Sequence, residues 1–539
     1  MDETPVRRTR LERLLAHFTL LRPREGPSVM VFFLIAFLIL VAYYILKTLR
    51  EPLLLVDATA EMKSYAYAAI ALVLLVLIPM YGRVFRRTSK RQLTRWVTAF
   101  FVVNLMVFYV VGRLGYDIGF VYYVWVGIVS LMLTAQFWGY AADTYNLKSG
   151  QRLFPVIMLG ATLGGLLGPL IAGALFSRLG PWNLMLIVGV LLFVTIPLYG
   201  PARDAVPAGS RNERTGTDLA RPHFMGGLAM VARDHYLLLL AVLIVLLNWV
   251  NTTGEYILAE LVVRYADARV LEDAALDKGE LIAGFYGGFY FAVNAFTVAI
   301  QLLFVARIFR WAGLGGAILV LPVIVLLGYG LIVFLPVFAV IRIFKVAENS
   351  VDYSLMNTAR HALYLPLGTS HKYEGKTAIE TFFWRLGDLM QAGVIFAGLH
   401  WFVFGVEQFA LLNMALALAW LLVALRLGEL YKQQAKAQST NRSPIYTHPV
   451  GPVPVPAGKP FRIALPPDCF TDPDPGDVLI ISARKADGSP LPRWLRFDGN
   501  ALRFSGSAPP GLTGITELTL RARDFDGAVA EGRLVLDHG

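Results

Sequence analysis

The sequence predicts an all-α polytopic membrane protein of two six-helix halves, followed by a small C-terminal all-β sandwich. Three observations carry that expectation. Across 539 residues the apolar set reaches 56% and charged residues only 16%, against roughly 45–50% and about 25% in an ordinary soluble chain, and mean hydropathy is +0.57. Before position 430 the apolar runs are repeatedly long enough to cross a bilayer, which takes about 20 residues. Beyond position 460 they give way to short alternating stretches divided by Asp-Gly and Pro-Gly turns, the pattern of β-strands.

Taken in order, residues 1–26 form a basic N-terminus (Arg7, Arg8, Arg10, Arg13, Arg22, Arg24) expected in the cytoplasm. The apolar run behind it has a full span's length and no small-residue cleavage site, so a retained first helix is expected, not a signal peptide. Spans are expected near 27–46, 62–83, 94–116, 118–142, 154–177 and 181–200 for the first half, 27–200. After a polar cytoplasmic linker, 201–235, come spans near 236–262, 281–306, 312–334, 336–354, 381–404 and 407–427 for the second half, 236–430. A linker at 431–460 contains Pro-Val-Pro-Val-Pro at 452–456 and leads to the β domain, 461–539, with strands expected around Val478–Ile481, Leu502–Phe504, Leu518–Ala522 and Gly532–Leu536.

Charge supports this layout. The formal charge is +11, yet the segment after Pro452 holds ten Lys/Arg against eleven Asp/Glu, so the excess belongs to the membrane part. Positive charge beside membrane helices is a topology signal, not a nucleic-acid footprint. The clusters (the N-terminus, Arg83 to Arg91, Lys148 and Arg152, 203–234, Arg307 and Arg310, 360–376, Arg426 to Lys436) mostly fit alternate loops, so an even number of spans with both chain ends cytoplasmic is expected.

An internal repeat marks the two halves. Arg83-Val-Phe-Arg86 closes the second span and Arg307-Ile-Phe-Arg310 the eighth, an offset of 224 residues; at that offset Arg152, ahead of the fifth span, falls on Lys376, ahead of the eleventh. Two halves in parallel register are the construction of major facilitator transporters, with substrate between the halves near the midplane. In the fifth span Gly160, Gly164, Gly165, Gly168 and Gly173 form a small-residue face of the kind that lets helices approach closely.

Several chemistries are excluded. A single cysteine, Cys469, leaves no disulfide framework or multi-cysteine metal site. Glu374-Gly375-Lys376-Thr377 ends like a phosphate-binding Walker loop, but position 370 is Ser where that loop needs glycine. Zinc, nucleophile-elbow and dinucleotide fingerprints are absent as well, so no enzyme is expected. What remains are ionisable groups inside spans, each a functional candidate by default: Lys47, Arg50 and Glu51 closing the first span, Glu255 and Glu260 in the seventh, Glu348 and Asp352 in the tenth, Arg385 and Asp388 in the eleventh. Glu255 stands out because Asn248, Asn251, Thr252 and Thr253 precede it, which suggests a wet cavity and a role in substrate binding or proton coupling; a structural partnership with a cation is the other reading. Glu260 and Arg264 have i, i+4 spacing and are expected to pair. Arg385 and Asp388 share a helix face and either neutralise each other or serve binding and coupling. Lys47 and Arg50 either line the cavity or snorkel to the interface.

Stretches in both halves resemble the ATP/ADP translocase family: Leu46-Lys47-Thr48-Leu49-Arg50-Glu51, Phe137-Trp138-Gly139-Tyr140-Ala141, Arg152-Leu153-Phe154-Pro155, Tyr353-Ser354-Leu355, Ala362 to Leu367, and Gly375-Lys376-Thr377-Ala378-Ile379-Glu380, over roughly residues 25–430. The resemblance implies a bacterial inner-membrane carrier with a major-facilitator-like fold that moves a nucleotide or related phosphorylated anion by exchange or proton symport. It implies phosphate-binding cations at Lys376, Arg152 and Arg50 and a required glutamate at Glu255. The chain departs from the family pattern at Leu53, where a lysine is typical, and near Val126, where a glutamate is typical. These departures point to a different anionic solute as the alternative cargo, and a non-transporting sensor or scaffold is a third reading.

The C-terminal segment resembles cadherin-like or immunoglobulin-like modules of the dystroglycan type, on Phe470 to Asp477, Asp487-Gly488, Leu491 to Phe497, Phe504-Ser505-Gly506 and Ala522 to Gly527. An accessory role, recognising a protein or glycan, follows from that resemblance. Asp472, Asp474, Asp477, Asp524 and Asp526 offer oxygen ligands for Ca²⁺ or are turn-forming aspartates that bond their own backbone.

Overall fold

The computed structural model describes residues 25–85, 90–207, 210, 224–334, 337–367, 374–438, 443–473, 479–499, 501–524 and 528–539. It divides into a helical unit ending at Tyr431 and a second unit from Lys432 to Gly539. In the helical unit α1 spans Gly26–Leu55, α2 Glu61–Phe85, α3 Lys90–Arg113 and α4 Gly119–Thr144. The stretch Leu147–Asp204 is two helices, α5 (147–179) and α6 (181–204), because Gly180 at φ 69° breaks it. After a short helix, Phe224–Arg233, comes α7, His235–Glu272. Gly313 at φ 64° separates α8 (278–312) from α9 (314–334) in the same way. Both breaks need a left-handed residue, which glycine adopts without steric cost. The last three helices are α10 (338–362), α11 (374–400) and α12, Val406–Gln438.

Eight helical stretches are long and apolar enough to cross a membrane, and two of these contain the glycine breaks. With α10 and α11, the described residues provide twelve helices at the places where the sequence predicts spans. Continuous helix is what a bilayer demands, since it satisfies every backbone group internally. Helix starts are set by side chains: Asn146 accepts from Ser149 N at 2.9 Å, Asp234 from Leu237 N at 2.9 Å and Asp277 from Glu280 N at 2.7 Å, replacing orphaned N–H partners.

Several boundaries differ from the expectation, for one reason. The first span was expected to end at 46 and the seventh at 262, but α1 runs on to Leu55 and α7 to Glu272. Hydropathy drops at the first charged residue, whereas the helix continues: in α1 Lys47, Arg50 and Glu51 are buried, and in α7 Arg264 and Arg269 pair with Glu260 and Glu272 at the surface. Lys47, Arg50 and Glu51 therefore lie within α1, not at its end.

The glycine face of α5 packs on α1 in parallel. A Cβ at Gly160, Gly164 or Gly168 would stand 2.5, 2.5 and 2.9 Å from the carbonyl oxygens of Phe33, Phe37 and Val41. Nearer its far end, α5 meets α8, where a Cβ on Gly173 would lie 3.3 Å from the Cα of Gly287.

In the C-terminal unit β1 is Ile445–Tyr446, β2 Val453–Pro454, β3 Pro460–Ala464, β4 Phe470–Thr471, β5 Ile480–Lys485, β6 Leu495–Asp498, β7 Arg503–Ser507, β8 Ile515–Arg523 and β9 Val529–Asp537. One sheet has the order β2-β9-β8-β5, a second β3-β7-β6, and β1 pairs with β4. Alternate residues Leu518, Leu520, Ala522, Leu534 and Leu536 are buried, with Phe504, Leu495 and Cys469 in the same core. Strands β1 and β2 lie in the stretch expected to be linker, and β3, β4 and β6 were missed as well, because each of these strands is at most five residues long.

Replacing Gly164 by Leu should separate α1 from α5, since close backbone approach carries membrane helix packing. The expected result is a clear drop in the midpoint of thermal unfolding of the detergent-solubilised protein, while Gly139→Leu, at a position with open space around it, leaves it nearly unchanged.

Candidate functional site

At the centre of the helical unit a group of charged side chains joins the two halves. Lys63, on α2, is fully buried and lies 3.1 Å from Glu51 of α1 and 3.2 Å from Glu255 of α7. Glu51, also fully buried, accepts from Arg50 Nε at 3.2 Å and from the Tyr290 hydroxyl of α8 at 2.8 Å. Glu255 accepts a second bond from Asn349 Nδ2 of α10 at 3.2 Å. One ammonium thus bridges a carboxylate of each half, and the second half reaches back through Tyr290.

Aromatic faces complete the group. Arg50 stacks over Tyr123 at 4.2 Å. Lys47 lies over Tyr290 at 4.2 Å and within reach of Tyr44 and Tyr353 at 5.5 and 5.8 Å, and among the described residues it has no carboxylate partner. Cation–π attraction holds an ammonium without neutralising it. By formal count three cations (Lys47, Arg50, Lys63) face two carboxylates (Glu51, Glu255), and Lys47 is the cation left without a carboxylate partner among the described residues.

Other contacts join the halves on both sides of this group. Gln391 Nε2 of α11 donates to Ser64 Oγ of α2 at 2.9 Å, His400 approaches Glu61 at 2.8 Å, and Asn294 of α8 donates to the Gly165 carbonyl of α5 at 2.7 Å.

The sequence-predicted residues fall into separate places. Lys47, Arg50 and Glu255 come together, and the two cations are buried, not snorkelled. Arg385 pairs with Asp388 at 3.1 Å, and Asp388 also accepts from Asn248 Nδ2 at 2.8 Å, joining α11 to α7. Asn251 lines a small cavity inside the second half together with Glu348, Asp352 and Trp420. Glu260 and Arg264 pair at 2.8 Å.

Arg152 and Lys376 stand apart from the centre. Arg152 is held by Glu25 through two bonds, 2.8 and 3.1 Å. Because α1 and α5 run in parallel, Lys47 is 22 residues beyond Glu25 along α1, about 33 Å at about 1.5 Å per residue. Lys376, over the Tyr364 ring at 5.4 Å, precedes Gln391 by 15 residues, about 22 Å by the same rise. The helices therefore place these two cations at different depths from Lys47 and Arg50 in this structure.

Two central residues escaped sequence reasoning. Lys63 sits near the expected start of the second span, where a lysine reads as an interfacial anchor, and Lys345 was passed over although it precedes Glu348 by three residues within a span. The Lys345–Glu348 pair, 2.9 Å apart, shows that i, i+3 opposite charge within an apolar run was the available signal. In the β unit Asp474, Asp477 and Asp526 lie outside the described residues. Asp524 Oδ1 accepts from Ala528 N at 2.9 Å, a turn-forming role, and no group of three or more metal-ligating side chains occurs among the described residues.

Comparison with known proteins gives three findings. Residues 443–537 match the family model "Putative Ig domain". The chain is 25% identical over 313 residues to ADP,ATP carrier protein 1 of Chlamydia pneumoniae, an alignment covering 49% of this chain and 58% of that protein, so it spans little more than half the length of that relative. Solved structures with a similar fold include a POT family transporter in complex with 5-aminolevulinic acid (TM-score 0.56, 12% identity, 75% of this chain and 96% of that one) and the nucleoside transporter NupG (0.55, 9%, 76% and 99%). A bacterial homolog of the human lysosomal transporter Spinster is also similar (0.51, 13%, 77% and 98%). The fold is major-facilitator-like, with an Ig-like domain behind it.

Removing one partner of a buried ion pair costs about 3–5 kcal/mol because the other charge stays behind. Lys63→Met leaves Glu255 without its ion-pair partner, while Glu51 keeps Arg50, and should destabilise the protein by that order. Adding Glu255→Gln should recover part of the loss, as a four-way comparison of unfolding midpoints would read.

Proposed function

We propose that this protein is a secondary transporter that carries a nucleotide or a related phosphorylated anion between its two halves. The observation that carries the reading is the excess cation at Lys47, beside a bridge that locks the halves together through Lys63. A phosphate is attracted to Lys47 and Arg50 by charge-assisted hydrogen bonds. Once there it competes with Glu51 and Glu255 for Lys63. Breaking Lys63–Glu255 removes an interhelical tie, so occupancy favours reorientation of one half against the other, and alternating access follows from differential affinity for two states. The freed Glu255 then takes a proton or is balanced by the incoming charge, which corresponds to symport or exchange.

Lys376 lies at the far end of α11 from the ties between halves and acts in this reading at the mouth, raising the local concentration of anions. Arg152, engaged by Glu25, orders the start of α5 against α1. Similarity to an ADP,ATP carrier supports nucleotide cargo. The departures at Leu53 and Val126 favour a different anionic solute as the second reading, and competition with a panel of nucleotides and sugar phosphates separates them.

The test is counterflow of labelled ATP and ADP in proteoliposomes. Saturable flux is expected. A hydrogen bond to a charged group is worth about 1.5–3 kcal/mol, so Lys47→Gln should weaken apparent affinity about ten- to a hundred-fold. Saturable binding without flux would instead support a sensor.

Both termini are assigned to the cytoplasm of a bacterial inner membrane, since the basic clusters fall on alternate loops. A green fluorescent protein fused after Gly539 should fluoresce, and alkaline phosphatase at the same place should be inactive. The opposite pair of results would place the Ig-like domain outside, available to an extracellular protein or glycan.

A further inference from the structure

Within the second half, away from the bridge between the halves, Asp352 lies at the small cavity it shares with Asn251, Glu348 and Trp420. Its residue is 9% exposed, and among the described residues its carboxylate has no ion pair and no side-chain hydrogen bond. It begins the π-helical turn Asp352–Met356 in the middle of α10, and such turns interrupt helices frequently at functional sites. Two further atoms of the cavity-lining residues are unsatisfied among the described residues: the indole N–H of Trp420, a residue 1% exposed, has no acceptor, and Asn251 Oδ1 has no donor. A donor and an acceptor both left open at a polar cavity are met together by water, which accepts from one and donates to the other.

The cavity connects to the central group. Glu348 pairs with Lys345 at 2.9 Å. Lys345 fits against α7 because residue 254 is glycine: a Cβ there would lie 2.5 Å from Lys345 Nζ and would also collide with the Tyr329 hydroxyl. The next residue is Glu255, the carboxylate held by Lys63. Two ion pairs, Lys345–Glu348 and Lys63–Glu255, therefore stand in series with Asp352, and the charges of Asp352 and Glu348 and of Lys345 and Glu255 act on one another between them.

We propose that Asp352 is a proton-binding site, hydrated through the Trp420–Asn251 cavity, whose occupancy is read by the central bridge through Glu348, Lys345 and Glu255. The charged groups acting on it are Lys345 and Arg360 of its own helix, with Glu348 one turn before it; the neighbouring Tyr353 also feels its charge. Helix α7 contributes Asn251 and, beyond Gly254, Glu255. Helices α9 and α12 line the cavity with Leu321, Val325 and Trp420, none of which ionises. Protonating Asp352 removes one of the negative charges that compete for Lys345, so Lys345 is drawn more strongly toward Glu348 and Glu255. The proton is a second cargo in the same cycle, bound in one half, whereas the anion is bound between the halves.

The coupling role rests on the transporter reading; the proton site does not. The test is pH-difference infrared spectroscopy of the full-length protein in liposomes, with ATP counterflow and pH-gradient-driven ATP accumulation measured on the same preparation. The expected result is a titrating carbonyl stretch of a protonated carboxyl group that is lost in Asp352→Asn and kept, at a shifted frequency, in Asp352→Glu. Gradient-driven accumulation should be lost in Asp352→Asn while counterflow persists. A band unchanged in Asp352→Asn overturns the proton site, as does sodium raising thermal stability in the unmodified protein but not in the variant. If the unmodified protein shows the band but no ATP flux, the nucleotide reading fails and the proton site stands. Should Asp352→Asn not fold, Trp420→Phe, which removes the indole N–H, must still displace the titration, and an unaltered titration counts against the site.

Discussion

A lysine ammonium with no exposure, deep in a bundle that lipid surrounds, has to be neutralised by protein. For Lys63 this is done from two sides at once, by Glu51 of the first half and Glu255 of the second. The cost of taking an ion out of water is recovered only when geometry and additional hydrogen bonds are good, and here Tyr290, Asn349 and the Tyr286 hydroxyl supply them. Such a bridge has two properties a carrier uses. It holds the halves together when intact, and any anion that competes for the ammonium weakens it.

The remainder of the helical unit makes that geometry possible. Glycines 160, 164 and 168 let α5 lie directly on α1, which fixes the helix carrying Lys47, Arg50 and Glu51. Glycine 254 lets Lys345 and Tyr329 approach α7 behind Glu255. Asn248 and Asp388 join α7 to α11, and Gln391 joins α11 to the turn of α2 that presents Lys63. Small residues and side-chain amides act where apolar contact gives no preference, since lipid is as apolar as the helices themselves.

The fold was legible in the sequence because a bilayer imposes length and hydropathy on each span, and because the glycine breaks fall between two expected spans at Gly180 and at the very start of one at Gly313. The similarity to an ADP,ATP carrier and to an Ig domain agrees with the motifs that suggested them. The candidate site was legible in part. Glu255 drew notice through the Asn and Thr residues ahead of it, and Lys47 and Arg50 through their place at the end of an apolar run. Lys63 was not, since one lysine near a span's start looks the same whether it faces headgroups or a buried carboxylate.

Sequence alone determined the membrane as solvent, the division into two repeated halves, the β domain behind them and the short list of ionisable residues inside spans. It could do so because each is a property of composition and period along the chain. Which of those residues meet was decided only by tertiary structure: Arg152 and Lys47, on neighbouring helices, lie at depths about 33 Å apart by the helix rise, while Lys63 and Glu255, separated by 192 positions, are 3.2 Å apart. Charge acts through distance in space, and in a helical bundle that distance is set by depth and facing, neither of which sequence separation encodes.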